Sequence, residues 1–464
     1  MRHRNGQTGK TPPSPDIGRL SGLAVAELEL DAADGTGVRL GPVPGGPPLV
    51  TAPRDGGDQR FLALVRLRGR PVGTVVGRVR AGDDPASVLA EQAADEIVVP
   101  DAPDAPDAPD APDASDASAA PQRPAGDVPR ATVVVATRER PGQLARALDS
   151  LLAQDHPDFE IVVVDNAPAT GATRELIASA YAGRGVRYVL EPVPGLAAAH
   201  NRGVAVAGSE ILAFTDDDVI ADPHWLTALT RPFGEHPRPA CVTGLILPAR
   251  LTTPAQILLE SHGGFAKGFT ERRYDPAHPP ADEPLFPFTA GRFGSGANMA
   301  FRAGPLRAIG GFDPATGTGT AAKGGDDLYA FVRLLAEGHP LHYTPDAIVW
   351  HHHRERWEDL CGQAYGYGAG LTASLTALLV RRPALLPPLL ARLPRGLAHA
   401  RAMTAARTAG AVGRTGVPGT HGASTHPWPR HLSRLERRGL LYGPLGYVRA
   451  RLAVRGAPLP WEGA

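Results

Sequence analysis

From Ala131 onward the chain alternates short β-branched apolar runs with segments of helical periodicity. No other feature constrains its fold as tightly. Ala131 to Ala136, Glu160 to Val164, Val186 to Leu190 and Glu210 to Phe214 have the composition of buried strands. Gly142 to Gln154, Ala172 to Tyr181 and Ala197 to Ala207, which lie between them, carry helical spacing. Such an alternation predicts a parallel sheet with right-handed crossovers. In open sheets of this kind ligands gather at the carboxyl ends of the strands, where this sequence places Thr137-Arg138, Asp165-Asn166 and Asp216 to Asp218.

The region before Ala131 follows different rules. Asp-Ala-Pro repeats run from Pro100 to Ala114, the chain then passes through Ser, Ala and Pro to about Pro129, and the whole predicts a stiff, solvated linker, because proline extends the backbone and the aspartates repel one another. Residues 1–99 predict a small β-rich accessory module: a strand over Leu23 to Leu30, a hairpin of Phe61 to Arg68 with Val72 to Arg80 turning at Gly69-Arg70-Pro71, and a helix over Asp84 to Ile97 capped by Asp84. No clustered nucleophile or phosphate loop is legible there. The expected units are therefore 1–99, the linker 100–129, an α/β domain over 130–357 and a helical, Arg-rich region over 358–464 with a flexible loop between Gly410 and Pro429.

A total of 464 residues suits two folded units plus tails, and 48 basic against 48 acidic residues give no global pull toward nucleic acid. Two cysteines argue against a disulfide framework, and the basic N-terminus lacks the apolar core of a secretory signal, so a cytoplasmic setting is expected.

The strongest chemical signal is Ile211-Leu-Ala-Phe-Thr215-Asp216-Asp217-Asp218. Three carboxylates leaving a buried strand repel one another unless a cation joins them, and a hard divalent ion with oxygen ligands is the natural partner. A solvated turn is the plainer alternative for an acidic triplet. Alternation along the strand sets Asp216 and Asp218 on one side and Asp217 on the other.

Several motifs in order carry a resemblance: Thr137-Arg138-Glu139-Arg140-Pro141 after the first strand, Asp165-Asn166 after the second, and Gly195 to Gly203 before the acidic strand. Downstream come Gly296-Ala-Asn298, Gly310-Gly-Phe-Asp313 and Gly324-Gly-Asp326-Asp327-Leu328. Residues from about Ala131 to Arg354 resemble a bacterial family 2 glycosyltransferase, an inverting enzyme. The resemblance implies a GT-A type fold: a mostly parallel sheet flanked by helices, here preceded by the β-rich module and followed by the helical C-terminal region.

It also implies roles. Thr137 and Asp165 resemble nucleoside contacts, with Arg138 a phosphate partner. Asp216 and Asp218 resemble the Asp-X-Asp element that holds Mn or Mg, and Asp217 is expected to touch the ribose. Asp327 resembles the catalytic base, with Asp326 where Glu is usual, so the assignment between the two stays open. Asn298 is expected beside a sugar. In Trp350-His-His-His353, His351 and His353 share a face, and one of them, with His351 first, is the expected metal ligand or else polar surface.

The expected partners are a nucleoside diphosphate sugar and a glycan, lipid-linked or small-molecule acceptor, with a hydroxyl attacked in a pathway such as polysaccharide biosynthesis. The apolar, Arg-rich segments Pro383 to Leu393 and Leu435 to Leu452 suit peripheral contact with the inner face of the cell membrane or packing on the catalytic domain. Two rival functions remain at this point: a sugar-phosphate nucleotidyltransferase, which calls for a Gly-rich loop after the first strand that this chain lacks, and a non-catalytic sugar-nucleotide or glycan-binding protein.

Overall fold

The computed structural model describes residues 22–31, 37–46, 48–49, 57–97, 128–261, 264–395, 398 and 428–454. The body of the expected linker and most of the expected loop between Gly410 and Pro429 lie outside these residues.

Strands β1 (Ala24–Leu30), β2 (Val38–Pro42), β3 (Gln59–Leu67) and β4 (Arg70–Val79) form a sheet in the order β2-β1-β3-β4, covered by α1 (Pro85–Glu96). The Asp84 side chain accepts from Ser87 N at 3.0 Å and so caps α1 as expected. The hairpin turns one residue earlier than expected, at Arg68-Gly69, both with positive φ. Pro71 falls inside β4, where it is tolerated because β4 is an edge strand.

The main sheet begins with the expected alternation: β5 (Ala131–Thr137), α2 (Pro141–Leu152), β6 (Phe159–Asn166), α3 (Ala172–Ala180), β7 (Val186–Glu191), α4 (Leu196–Val206) and β8 (Ile211–Asp216). It continues through β9 (Val219–Ala221), α5 (Trp225–Glu235), β10 (Cys241–Pro248), α6 (Pro254–Ser261), β11 (Arg272–Tyr274), β12 (Asn298–Arg302), α7 (Ala303–Ala308), α8 (Asp326–Ala336) and β13 (Leu341–His351). The strand order is β11-β13-β10-β12-β8-β5-β6-β7, with β9 paired to β13. Most of the central pairings are parallel, and β12 runs antiparallel between β10 and β8. Val134, Val162 and Phe214 point into one core, while Val133, Val135, Ile161 and Val163 point into the opposite one. Both faces are buried, which explains the unbroken apolar runs.

Three C-terminal helices follow: α9 (Trp357–Arg381), α10 (residues 386–395) and α11 (Arg430–Ala453). Helices α9 and α11 approach closely because Gly368 faces the Glu436 carbonyl and Gly439 faces that of Tyr365, positions where a Cβ would collide with backbone. Gly325, with φ +88°, seats the start of α8 against the Gly370 carbonyl in the same way. Helix α9 therefore supports the turn that carries Asp326 and Asp327.

The N-terminal sheet docks on the back of the main one. Val43 and Leu64 join Ile220, Leu245, Leu247, Ile348 and Trp350 in one apolar cluster. Leu23 bridges Leu251, and Arg66 reaches Asp222 at 2.6 Å. Strand β9 and the end of β13 are thus held from behind by the accessory sheet.

Candidate active site

Thr137, Asp165 and Asp216 end three neighbouring parallel strands, so register alone brings them to one edge of the sheet. Past Asp216 the chain turns, and β9 pairs back on β13 with Val219 opposite His351. His352 N donates to the Asp218 carbonyl at 2.9 Å, fixing the two segments together. The His351 imidazole consequently stands over the acidic turn, its Nε2 lying 3.4 Å from Asp218 Oδ1.

Asp216, Asp218 and His351 each present a ligand atom, and these atoms lie within 4.8 Å of one another. Burial, then the charges of Asp218 and Asp217, push Asp216 well above the usual carboxylate range. Burial also pulls His351 down to about 4, leaving its imidazole neutral. Two hard oxygen donors and a neutral nitrogen facing one point fit a divalent cation, which would relieve the repulsion that burial amplifies.

Asp217 points the other way, as strand alternation requires. Its Oδ2 accepts from Thr137 Oγ1 at 2.7 Å and its Oδ1 from Arg140 at 3.1 Å. Both oxygens are engaged within the chain, so Asp217 holds Thr137 and Arg140 in place, in contrast to the expected ribose contact. Arg138 is exposed and takes no part in this network, whereas Arg140, which sequence reading passed over, also comes within 3.5 Å of Asp218. The turn decides this: Arg140 is the residue immediately preceding α2, and its side chain folds toward the acidic strand end.

Asp165 is covered and accepts from Tyr188 at 3.1 Å, but its Oδ1 has no partner. Burial raises its pKa. A buried acceptor of this kind is costly unless a donor reaches it.

Asp326 and Asp327 begin α8 and diverge. Asp326 is buried with its Oδ2 3.1 Å from the Nδ1 of His200, whose ring lies against Phe214 and Phe312. Asp327 is half-buried toward the cleft and accepts from Gly296 N at 2.8 Å and Leu328 N at 2.7 Å. Burial and the neighbouring Asp326 push Asp327 up to about 6, against the pull of those two amides. Lys267, also missed from sequence, is half-buried and drawn down to about 8 by burial and by Arg292, while Asp327 opposes the shift.

The expectation for Asn298 is corrected. Its amide nitrogen donates to the carbonyls of Leu245 (2.9 Å) and Ala347 (2.8 Å), and its oxygen accepts from Trp225 Nε1 (2.9 Å). It is fully buried and ties three strands and a helix together, its amide wholly engaged within the chain. Asn201 is similar: its amide exchanges two hydrogen bonds with the Phe312 backbone, which makes the motifs around His200 and Gly311 parts of one structural joint.

The chain is similar in sequence to several known proteins. Pre-mycofactocin glycosyltransferase of Mycobacterium tuberculosis (strain CDC 1551 / Oshkosh) is 28% identical over 276 residues, covering 58% of this chain and 52% of that protein. Validoxylamine A glucosyltransferase of Streptomyces hygroscopicus subsp. jinggangensis is 34% identical over 106 residues, 22% of this chain and 25% of the relative. The chain spans about half the length of the first of these relatives. A solved mannosyltransferase from Pyrobaculum calidifontis, in complex with GDP-Man and Mn2+, aligns at a TM-score of 0.42 and 20% identity, over 68% of this chain and 87% of that one. Residues 132–308 match the family model described as Glycosyl transferase family 2. Asp165 and Asp216 to Asp218 thus lie within the stretch that matches that family, while Asp326, Asp327 and His351 lie beyond it.

Proposed function

We propose that the chain is an inverting glycosyltransferase that moves a sugar from a nucleoside diphosphate donor to an acceptor hydroxyl. The observation that carries this reading is the convergence of Asp216, Asp218 and His351 on one point, with a separate, half-buried carboxylate, Asp327, near enough for its charge to act on Asp216. Asp165 Oδ1 is free to accept from the nucleoside, and Thr137 stands at the neighbouring strand end. Asp216, Asp218 and His351 would hold Mn or Mg, whose chemistry is to neutralise the departing diphosphate. Asp327 takes the acceptor proton as the hydroxyl oxygen attacks opposite the leaving group. One base suffices for inversion, and a carboxyl titrating near 6 suits a base working near neutrality. Asp326, buried on His200, keeps the adjacent position and shapes the pKa of Asp327.

The acceptor side is drawn from the C-terminal helices. Among the described residues, exposed large apolar side chains concentrate there: Leu386, Leu390 and Leu393 on α10, and Leu441 (84% exposed), Leu445, Val448 and Leu452 on α11. Both sets recur at spacings of three and four, and α11 adds the exposed Arg434, Arg437, Arg438, Arg449 and Arg451. No helix among the described residues is long and apolar enough to cross a membrane. An apolar stripe beside guanidinium groups fits the surface of an anionic bilayer, which would bring the cleft to a lipid-linked acceptor.

The test is a panel of sugar nucleotides incubated with purified protein and Mn2+. Release of nucleoside diphosphate from one donor, rising with acceptor, is the expected result. Release of pyrophosphate from a nucleoside triphosphate and sugar phosphate would assign a nucleotidyltransferase instead. Donor binding without turnover would make the chain a binding protein.

A further inference from the structure

From His351 a row of groups leads away from the acidic turn through His353 to Glu260, and the donor-site reading uses neither of the latter two. His351 Nδ1 is 3.0 Å from His353 Nδ1, and His353 Nε2 is 3.1 Å from Glu260 Oε2. Both imidazoles are buried, and the Glu260 side chain is 15% exposed. Phe265 lies against both rings, and Gln256, one turn before Glu260 on α6, donates to the His353 carbonyl. Helix α6 thus grips His353 through backbone and side chain together.

The row has a direction. An ionised carboxylate only accepts hydrogen bonds, so the Glu260 contact requires a proton on His353 Nε2. With one proton per imidazole, His353 Nδ1 then accepts, and His351 Nδ1 must donate to it. The proton of His351 is thereby placed on Nδ1, and its Nε2 lone pair faces Asp218 Oδ1 at 3.4 Å. A lone pair set against a carboxylate is unfavourable unless a cation lies between them.

We propose that Glu260 and His353 are positioning residues that fix the tautomer and ring orientation of His351 for a divalent cation. This rests on the reading of Asp216, Asp218 and His351 as the cation site. Outer partners of this kind raise the basicity of the ligating nitrogen, and their loss costs metal affinity about 10–100-fold. Glu260→Ala leaves His353 Nε2 without an acceptor and frees both rings to reverse their tautomers. Glu260→Gln keeps an oxygen that can accept from His353 and should restore most of the affinity.

The experiment uses the full chain with Mn2+ alone, so it does not depend on turnover. Titration followed by electron paramagnetic resonance should show Mn2+ bound about 10–100-fold more weakly by Glu260→Ala and by His353→Phe, with Glu260→Gln close to the parent. In the metal-free parent, long-range 1H–15N spectra should show His351 protonated on Nδ1. Protonation on Nε2 overturns the proposal, as does unchanged Mn2+ affinity in Glu260→Ala. The spectral measurement needs no variant and so reads out even if a substitution prevents folding. A parent that binds no Mn2+ but keeps the Nδ1 proton removes the cation reading and with it the proposed purpose of the row, whereas the transferase reading fails separately, in the donor panel.

Discussion

Asp222 and Asp218 lie four residues apart, and both are buried, yet their surroundings differ in kind. Asp222 meets a resident cation: Arg66, from the accessory sheet, sits between it (2.6 Å) and Glu27 (2.8 Å), with side-chain exposures of 13%, 5% and 22% for Arg66, Asp222 and Glu27. Those two anions together raise the Arg66 pKa despite its burial. Asp218 sits instead among Asp216 and Asp217, whose nearest cationic group is Arg140, beside a neutral imidazole. The first cluster is complete within the protein and holds two sheets together. The second sets three carboxyl groups against one guanidinium, an imbalance that the proposed cation would relieve.

The comparison is tested most severely at the reacting end. Replacing Asp327 by Asn should lower kcat by about 10²–10⁴-fold while donor binding, followed by calorimetry, persists. If donor binding is lost as well, the base lies elsewhere. At the structural end, Arg66→Leu leaves Glu27 and Asp222 buried without their cation and should cost about 3–5 kcal/mol in denaturant unfolding, with little change in kcat for the folded protein. An equal loss of kcat would mean that the two clusters are not independent.

The pH dependence sharpens the same contrast. As the proposed base, Asp327 would act ionised, and burial raises it to about 6, so log kcat/KM should fall with unit slope as pH drops below about 6. The stability sign is opposite: a carboxyl raised in the folded state favours folding once protonated and disfavours it when ionised. Asp327→Asn should therefore melt higher than the parent at pH 8, and the gain should shrink as pH falls from 6 toward 4. Two smaller effects concern the surface. Leu441→Glu with Leu445→Glu should abolish co-sedimentation with phosphatidylglycerol vesicles and leave donor hydrolysis intact; vesicle binding that survives both changes removes the lipid-surface reading. Arg138→Ala should alter kcat/KM by no more than about twofold, as expected of an exposed side chain outside the network, whereas Arg140→Ala should exceed it.

Much of this molecule was legible in its sequence. The alternation from Ala131 to Phe214 determined the parallel sheet, because strands buried on both faces need unbroken apolar runs, and the polar residues ending those runs meet at one edge of it. Strand alternation also separated Asp217 from its neighbours and put His351 and His353 on one face. What the sequence left open depended on contacts between distant segments. Asp326 differs from Asp327 only because His200, more than a hundred residues earlier, lies beside the former. Asn298 looked like a sugar contact until Trp225 and two carbonyls used its amide. Arg140 lies in a motif that does not say what it faces, and Glu260 has no local signature at all, since a charged residue on a turn or helix is ordinary until the fold decides its surroundings. Periodicity fixes which way a side chain points from its own strand or helix, and only the assembled structure determines what is waiting there.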